Sequence, residues 1–278
     1  MNHFEWSWDY EGKKVYAQGW APPQSKAVVC IVHGFAEFSD RYEHVAKFLC
    51  EKGFAILTFD HLGHGKTEGK RGHADSYDDL LDTVRSITHE AGTRFPGLPV
   101  FLYGHSLGGN IVTNFLLQRQ PKNIKAAVVT GPLFKLAFEP PAIKVLLAKL
   151  MVNIYPKFTE KTNLEVEAIS RDKNEVRKYK ENSRVLNVVS AGMFLGFYKA
   201  AKYALQHASD LRIPLLVMHG TADRITSYKG SEEFTKNHNG GLVTLKLWDG
   251  YYHELHNEPE EDRKKVLEYI TAWFENFL

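Results

Sequence analysis

The run Tyr103-Gly104-His105-Ser106-Leu107-Gly108-Gly109 constrains this chain more than any other, because a serine between glycines falls where a strand-like segment gives way to a helix-like one. Pro99 to Tyr103 is apolar, with β-branched and aromatic residues, and Ile111, Val112, Phe115 and Leu116 recur at helical spacing. A sharp strand-to-helix turn brings neighbouring backbones close together, which is why glycines are wanted two residues to either side of the serine. Serine is a weak nucleophile at neutral pH. It must be exposed, set beside a general base and faced by donors for the oxyanion that its attack creates. The stretch reads as a nucleophile elbow.

The rest of the chain alternates strand-like and helix-like segments, the pattern of a largely parallel sheet covered by helices on both faces. A hairpin is expected from Phe4 to Trp20. Strands follow at Ala27 to Val32, Phe54 to Phe59, Pro99 to Tyr103, Ile124 to Thr130, Ile213 to Met218 and Leu242 to Leu247. Helices are expected at Arg41 to Lys52, closed by Gly53, at Tyr77 to Phe95, at Gly109 to Arg119, from Ser227, and at Pro259 to Phe277. After Gly131-Pro132 the alternation stops, and a helical stretch without strands is expected to about Gln206. The expected organisation is therefore an α/β core over residues 1–132 and 207–278, with a helical cap or lid inserted at 133–206.

In such sheets functional groups gather where strands end at their carboxyl side. Asp223 follows the strand ending at Met218, and His253 follows the strand ending near Leu247. An imidazole can take a serine proton at neutral pH, and a buried carboxylate can fix its tautomer and stabilise the imidazolium. Ser106, Asp223 and His253 are thus the candidate nucleophile, acid and base. Among thirteen histidines, His256 is the rival for the base. Asp210 and Asp249 read as a turn and a surface residue. The oxyanion donors are expected to be the backbone amides of Leu107 and of Phe35, which follows the strand end at His33-Gly34. His61, His64 and His73 share a polar loop, but their spacing fits no zinc pattern, so no metal and no cofactor are expected.

The 278 residues, 44% of them hydrophobic, can supply a sizeable core, and the net charge of +2 carries no basic stripe of the kind nucleic acid requires. Cys30 and Cys50 read as buried reduced thiols, which points to the cytoplasm. The N-terminal residues lack the basic and apolar regions of a secretory signal, and no segment is apolar for long enough to span a bilayer.

The segments His33 to Tyr42, Asp60 to Gly69, Gly104 to Gly109 and Gly220 to Arg224 resemble those of the monoacylglycerol lipase and lysophospholipase group of α/β-hydrolases. The likeness covers nearly the whole core in the right order. It implies an α/β-hydrolase fold, the triad Ser106, Asp223 and His253, and the amides of Phe35 and Leu107 as the oxyanion hole. It also implies Glu37, Arg41 and His256 near the polar head of the substrate, although Glu37 and Arg41 could instead pair to brace the oxyanion loop. Two residues depart from the group's pattern. Phe38 stands where a histidine is common, and Phe35 where a smaller residue is, which bears on head-group preference.

Within the cap, Ala142 to Tyr155 is apolar over most of its surface and reads as a pocket wall, a helix on the rim of the core, or a segment resting peripherally on a membrane. Met193 and Phe194 belong to a second apolar cluster, either pocket wall or cap interior. The activity implied is hydrolysis of a small lipid ester, a monoacylglycerol above all, through an acyl-enzyme. A carboxylesterase of short or medium acyl esters and a lysophospholipase remain as alternatives, with a serine peptidase and a non-catalytic binding module more remote. The sequence says nothing of oligomeric state.

Overall fold

A computed structural model describes residues 1–138, 142–162 and 164–278. Its largest element is an eight-stranded sheet. The chain enters through a hairpin of β1 (Asn2–Tyr10) and β2 (Lys13–Ala21), paired from Asn2 with Ala21 to Tyr10 with Lys13. It continues through β3 (Ala27–Val32), α1 (Glu43–Glu51), β4 (Phe54–Phe59), α2 (Tyr77–Arg94), β5 (Val100–His105), α3 (Leu107–Arg119) and β6 (Ile124–Thr130). Residues 131–214 then carry α4 (Ala142–Ile154), the short β7 (Thr159–Lys161), α5 (Lys173–Glu181), the short β8 (Val188–Ser190) and α6 (Ala191–Gln206). The chain returns to the sheet with β9 (Leu215–Gly220), α7 (Tyr228–Asn237), β10 (Val243–Trp248) and α8 (Glu260–Glu275).

The strand order is β1-β2-β4-β3-β5-β6-β9-β10. From β4 to β10 every pairing is parallel, and β2 joins β4 antiparallel. The central strands β3, β4 and β5 are buried at every position, so their side chains alternate between two cores. Val28, Cys30 and Val32 point to one core with Leu80, Val84, Ile111 and Phe115 of α2 and α3. Ala27, Val29 and Ile31 point to the other with Val45 and Leu49 of α1 and Ile270 and Phe274 of α8. Both cysteines are buried and unbridged. Burial raises the Cys50 thiol to about 11 and Cys30 higher still, so both stay protonated at neutral pH.

Two expectations need correcting. The stretch between β6 and β9 is not free of strands: Thr159 pairs antiparallel with Ser190 and Lys161 with Val188. Three residues are too few to show a period of two in sequence, so a ladder this short leaves no pattern to read. Arg41 and Tyr42 are not in α1 but in a preceding 3-10 turn, Ser39–Tyr42. Pro141, where the apolar cap segment starts, lies outside the described residues, as do the side chains of Ala142, Lys144 and Asn153.

Candidate active site

The carboxyl ends of β3, β5, β9 and β10 converge, each followed at once by a loop bearing polar chemistry. At the end of β5, Ser106 has φ 53° and ψ −115°, a backbone conformation an L-residue rarely adopts. It is held there from both sides. The Ser106 N–H donates to the Thr130 carbonyl of β6 at 2.9 Å, and the Ser106 carbonyl accepts from Asn110 and Leu133 at 3.0 Å. The flanking glycines are required by contact. A Cβ on Gly108 would lie 2.0 Å from the Val32 carbonyl oxygen, and one on Gly104 would lie 2.5 Å from the Gly108 oxygen. Since these clashes are with backbone, no rotamer relieves them.

After β9, the Asp223 carboxylate is buried and bonded on both oxygens. Its Oδ1 accepts the N–H groups of Ile225 and Thr226 at 2.7 and 3.0 Å, and its Oδ2 meets His253 Nδ1 at 2.7 Å. Burial opposes ionisation here. The charge of His253 and hydrogen bonds from His219 and His253 outweigh it and hold the carboxyl well below the usual carboxylate range. For His253, burial disfavours the cation, but Asp223 first and Glu254 and Glu37 after it raise the imidazole above its ordinary value. An acceptor at Nδ1 places the remaining proton there and leaves Nε2 free to act as a base.

In the loop after β3, Gly34 donates its N–H to Glu37 Oε1 at 2.6 Å. Ala36 turns the chain with φ 67°. Among the described residues neither the Phe35 N–H nor the Leu107 N–H has a protein acceptor. Both residues line one cavity of about 810 Å³, together with Ser106, His253, Glu37 and Phe194. The rest of its lining is largely apolar, including Leu133, Leu136, Leu147, Met151, Ile169 and Phe197. The ring of Phe35 lies edge-on to His64 and 6.4 Å from Phe197, inside this space. Phe38 lies outside it, fully buried beneath the Arg184 guanidinium at 4.1 Å.

The remaining candidates are placed differently. Arg41 is not on the cavity wall but behind it, donating to Glu37 Oε2 at 2.7 Å and to both oxygens of Glu254 at 2.7 and 2.6 Å, with Tyr179 against its other side. Glu254 went unnoticed in the sequence, where only its place beside His253 could have pointed to it. Its partner is 213 residues away. Desolvation alone would raise its carboxyl, yet Arg41 holds it down to about 2, whereas Glu37 is raised by burial and by the charge of Glu254 despite Arg41.

His256 stacks on Tyr42 at 4.8 Å and its Nδ1 meets the Tyr103 hydroxyl at 3.2 Å, so it is not among the residues lining the cavity, and neither is Met193. His105 bonds Thr130 through Nδ1 and also reaches the cavity, its imidazole lowered by burial to about 3. His61 and His73 bond to His33 and Ser190, His64 to the Leu62 carbonyl, and among the described residues no group of His, Cys, Asp or Glu could hold a metal. Asp210 pairs with His207 and Asp249 accepts from Thr221, both away from the cavity.

The buried Glu37–Arg41–Glu254 group makes a prediction about stability. Replacing Arg41 by Met leaves two buried carboxylates without their cation and is expected to cost about 3–5 kcal/mol near neutral pH. Because Glu254 titrates low in the folded protein, its contribution is present above the unfolded carboxyl value and is lost as pH falls. Urea midpoints of wild type and R41M should therefore stay apart near neutral pH and converge as pH falls from about 4.5 toward about 2. A gap that stays constant would contradict the ion-pair account.

The chain has relatives among known proteins. Residues 23–260 match the family described as serine aminopeptidase, S33. The chain is 33% identical to the monoacylglycerol lipase of Mycolicibacterium smegmatis over 96% of its own length and 95% of that protein. It is 34% identical over 92% of its length to an abhydrolase domain-containing protein of Dictyostelium discoideum, of which it spans 28%. The crystal structure of a monoacylglycerol lipase from Paleococcus ferrophilus superposes with a TM-score of 0.87 at 30% identity, over 95% of this chain and 99% of that one. The chain belongs to the serine aminopeptidase S33 family of α/β-hydrolases, among whose members it is similar to monoacylglycerol lipases.

Proposed function

We propose that this protein is a serine hydrolase that cleaves monoacylglycerol to fatty acid and glycerol through an acyl-enzyme. The observation that carries the reading is the cavity in which Ser106 and His253 sit with two unpartnered backbone N–H groups and a mostly apolar wall. Ser106 Oγ attacks the ester carbonyl as His253 Nε2 takes its proton, while Asp223 holds the imidazole through Nδ1. The amides of Phe35 and Leu107 receive the oxyanion. The imidazolium then protonates the departing glycerol oxygen, and water, deprotonated by the same nitrogen, releases the fatty acid. The acyl chain lies along the apolar lining, and Glu37 stands at the polar end.

Residues 133–206 serve as a cap over this cavity, closing it with Leu147, Met151, Phe194 and Phe197. The Leu186 N–H donates to the Ala36 carbonyl at 2.9 Å, so the cap is hydrogen-bonded to the oxyanion loop itself. On the outer side of α4, Ile143, Leu146, Leu150 and Ile154 are more than half exposed and recur at helical spacing. That stripe suits peripheral contact with a lipid surface from which the substrate is drawn. Among the described residues no helix is long and apolar enough to cross a membrane.

A panel of esters tests the substrate class. Each buried methylene is worth roughly 0.8 kcal/mol, and even a quarter of that over the added chain exceeds a tenfold change, so kcat/KM for monoacylglycerols should rise at least about tenfold from about four to about twelve acyl carbons. A rate that peaks at the shortest acyl group, or turnover of aminoacyl anilides faster than of any ester, would overturn the lipid reading. The pH profile tests the base. His253 acts only when neutral and its imidazole is raised, so the acid limb of kcat/KM should have its midpoint above the ordinary histidine value of 6.5. A midpoint below that value would speak against His253.

A further inference from the structure

Asp223 has a second imidazole on the oxygen that faces His253. His219, in the last turn of sheet before the acid and fully buried, places Nε2 at 3.1 Å from Asp223 Oδ2 and Nδ1 at 2.8 Å from the Ser231 hydroxyl of α7. We infer that His219 is a positioning residue of the hydrolytic machinery, donating from Nε2 to Asp223 Oδ2 so that the carboxylate stays ionised and aimed at His253.

The tautomer follows from the partners. A carboxylate oxygen only accepts, so a bare Nε2 at this distance would set two lone pairs against each other. The proton is therefore on Nε2, and Ser231 donates its hydroxyl proton to Nδ1. Among the described residues Ser231 Oγ has no competing acceptor. The Thr226 hydroxyl also reaches Asp223 Oδ2, at 2.9 Å, but its single proton is equally close to the Gly131 carbonyl at 3.0 Å. His219 Nε2 also lies 3.3 Å from the Thr226 carbonyl and hydroxyl oxygens, but the charged Oδ2 is nearer at 3.1 Å, so Oδ2 is the acceptor its proton favours. The array runs Ser231, His219, Asp223, His253, from the interior of α7 to the cavity. An aspartate pinned at Oδ1 by two backbone amides and at Oδ2 by two imidazoles has one orientation left to it. This matters because a misdirected acid leaves the base in the wrong tautomer.

The inference rests on reading Ser106, Asp223 and His253 as the triad, and its test separates the two. In His219→Phe the ring volume remains but the donor is gone. The kcat for a monoacylglycerol should fall about tenfold or more with KM within about twofold, since a buried charged acceptor loses a partner. With Asp223 no longer held toward His253, the attraction that raises the imidazole weakens, and the acid limb of kcat/KM should move to lower pH. The other groups that act on His253 and Asp223, namely Glu254, Glu37 and His105, are unchanged in this variant. His219→Gln, whose amide nitrogen can donate from a similar place, should recover kcat to within about threefold of wild type. A His219→Phe protein with wild-type kcat and an unmoved limb would overturn the inference, as would His219→Gln slowed equally while melting like wild type.

Should His219→Phe fail to fold, nitrogen NMR of histidine-labelled wild type reads the same point without substitution. His219 is expected to carry its proton on Nε2 with Nδ1 bare, and the reverse tautomer would overturn the assignment. Failure of the triad reading would show separately, as ester hydrolysis surviving Ser106→Ala with the His219 tautomer unaltered.

Discussion

Everything at this site hangs on a backbone that Ser106 does not adopt willingly. A non-glycine residue at φ 53° costs on the order of 1–3 kcal/mol and persists only where its surroundings leave no alternative. Here those surroundings are the parallel strands β3, β5 and β6 and the first turn of α3. Gly108 lies so close to the Val32 carbonyl that even a methyl group would not fit, and Thr130 of β6 holds the Ser106 N–H. The same close approach sets the loop after β3 directly beside the serine. A Cβ on Gly34 would lie 3.1 Å from that of Ser106. The strained turn therefore fixes Ser106 and the donor amides of Phe35 and Leu107 relative to one another in a single packing decision.

Around that point the sheet collects charge it must neutralise. Asp223 is buried yet bonded at both oxygens, and Arg41 is buried between Glu37 and Glu254. The two groups are linked in sequence, since Glu254 follows His253, and in space, since Glu37 binds the Gly34 N–H. Breaking one partner leaves a largely desolvated ion uncompensated, so these residues constrain both stability and geometry. The loop after β10 and the loop after β3 are thereby tied together behind the cavity wall.

Much of this was legible in the sequence, and for a physical reason. Parallel strands buried on both faces read as unbroken apolar runs, and their polar residues begin abruptly at the carboxyl ends, which is where Ser106 and Asp223 stand. His253 instead follows the half-buried edge strand β10. The elbow advertises itself because its glycines are sterically required. What stayed hidden depends on long-range pairing. Arg41 was visible, but its bond to Glu254 was not. His219 lies only four residues before Asp223, but nothing local says that its ring turns toward the acid. His256 and Met193 carry suitable side chains, yet packing sends both into the interior rather than to the cavity. The three-residue ladder of β7 and β8 is too short to leave a periodic trace.

The central claim is that Ser106 is the nucleophile and depends on His253. The most direct measurement is covalent labelling with a long-chain alkyl fluorophosphonate, followed by mass analysis of the peptides. The account predicts one adduct, on the peptide carrying Ser106, formed rapidly by the wild-type protein and lost in a folded His253→Ala variant. An adduct on any other residue, or undiminished labelling of Ser106 without His253, would contradict it.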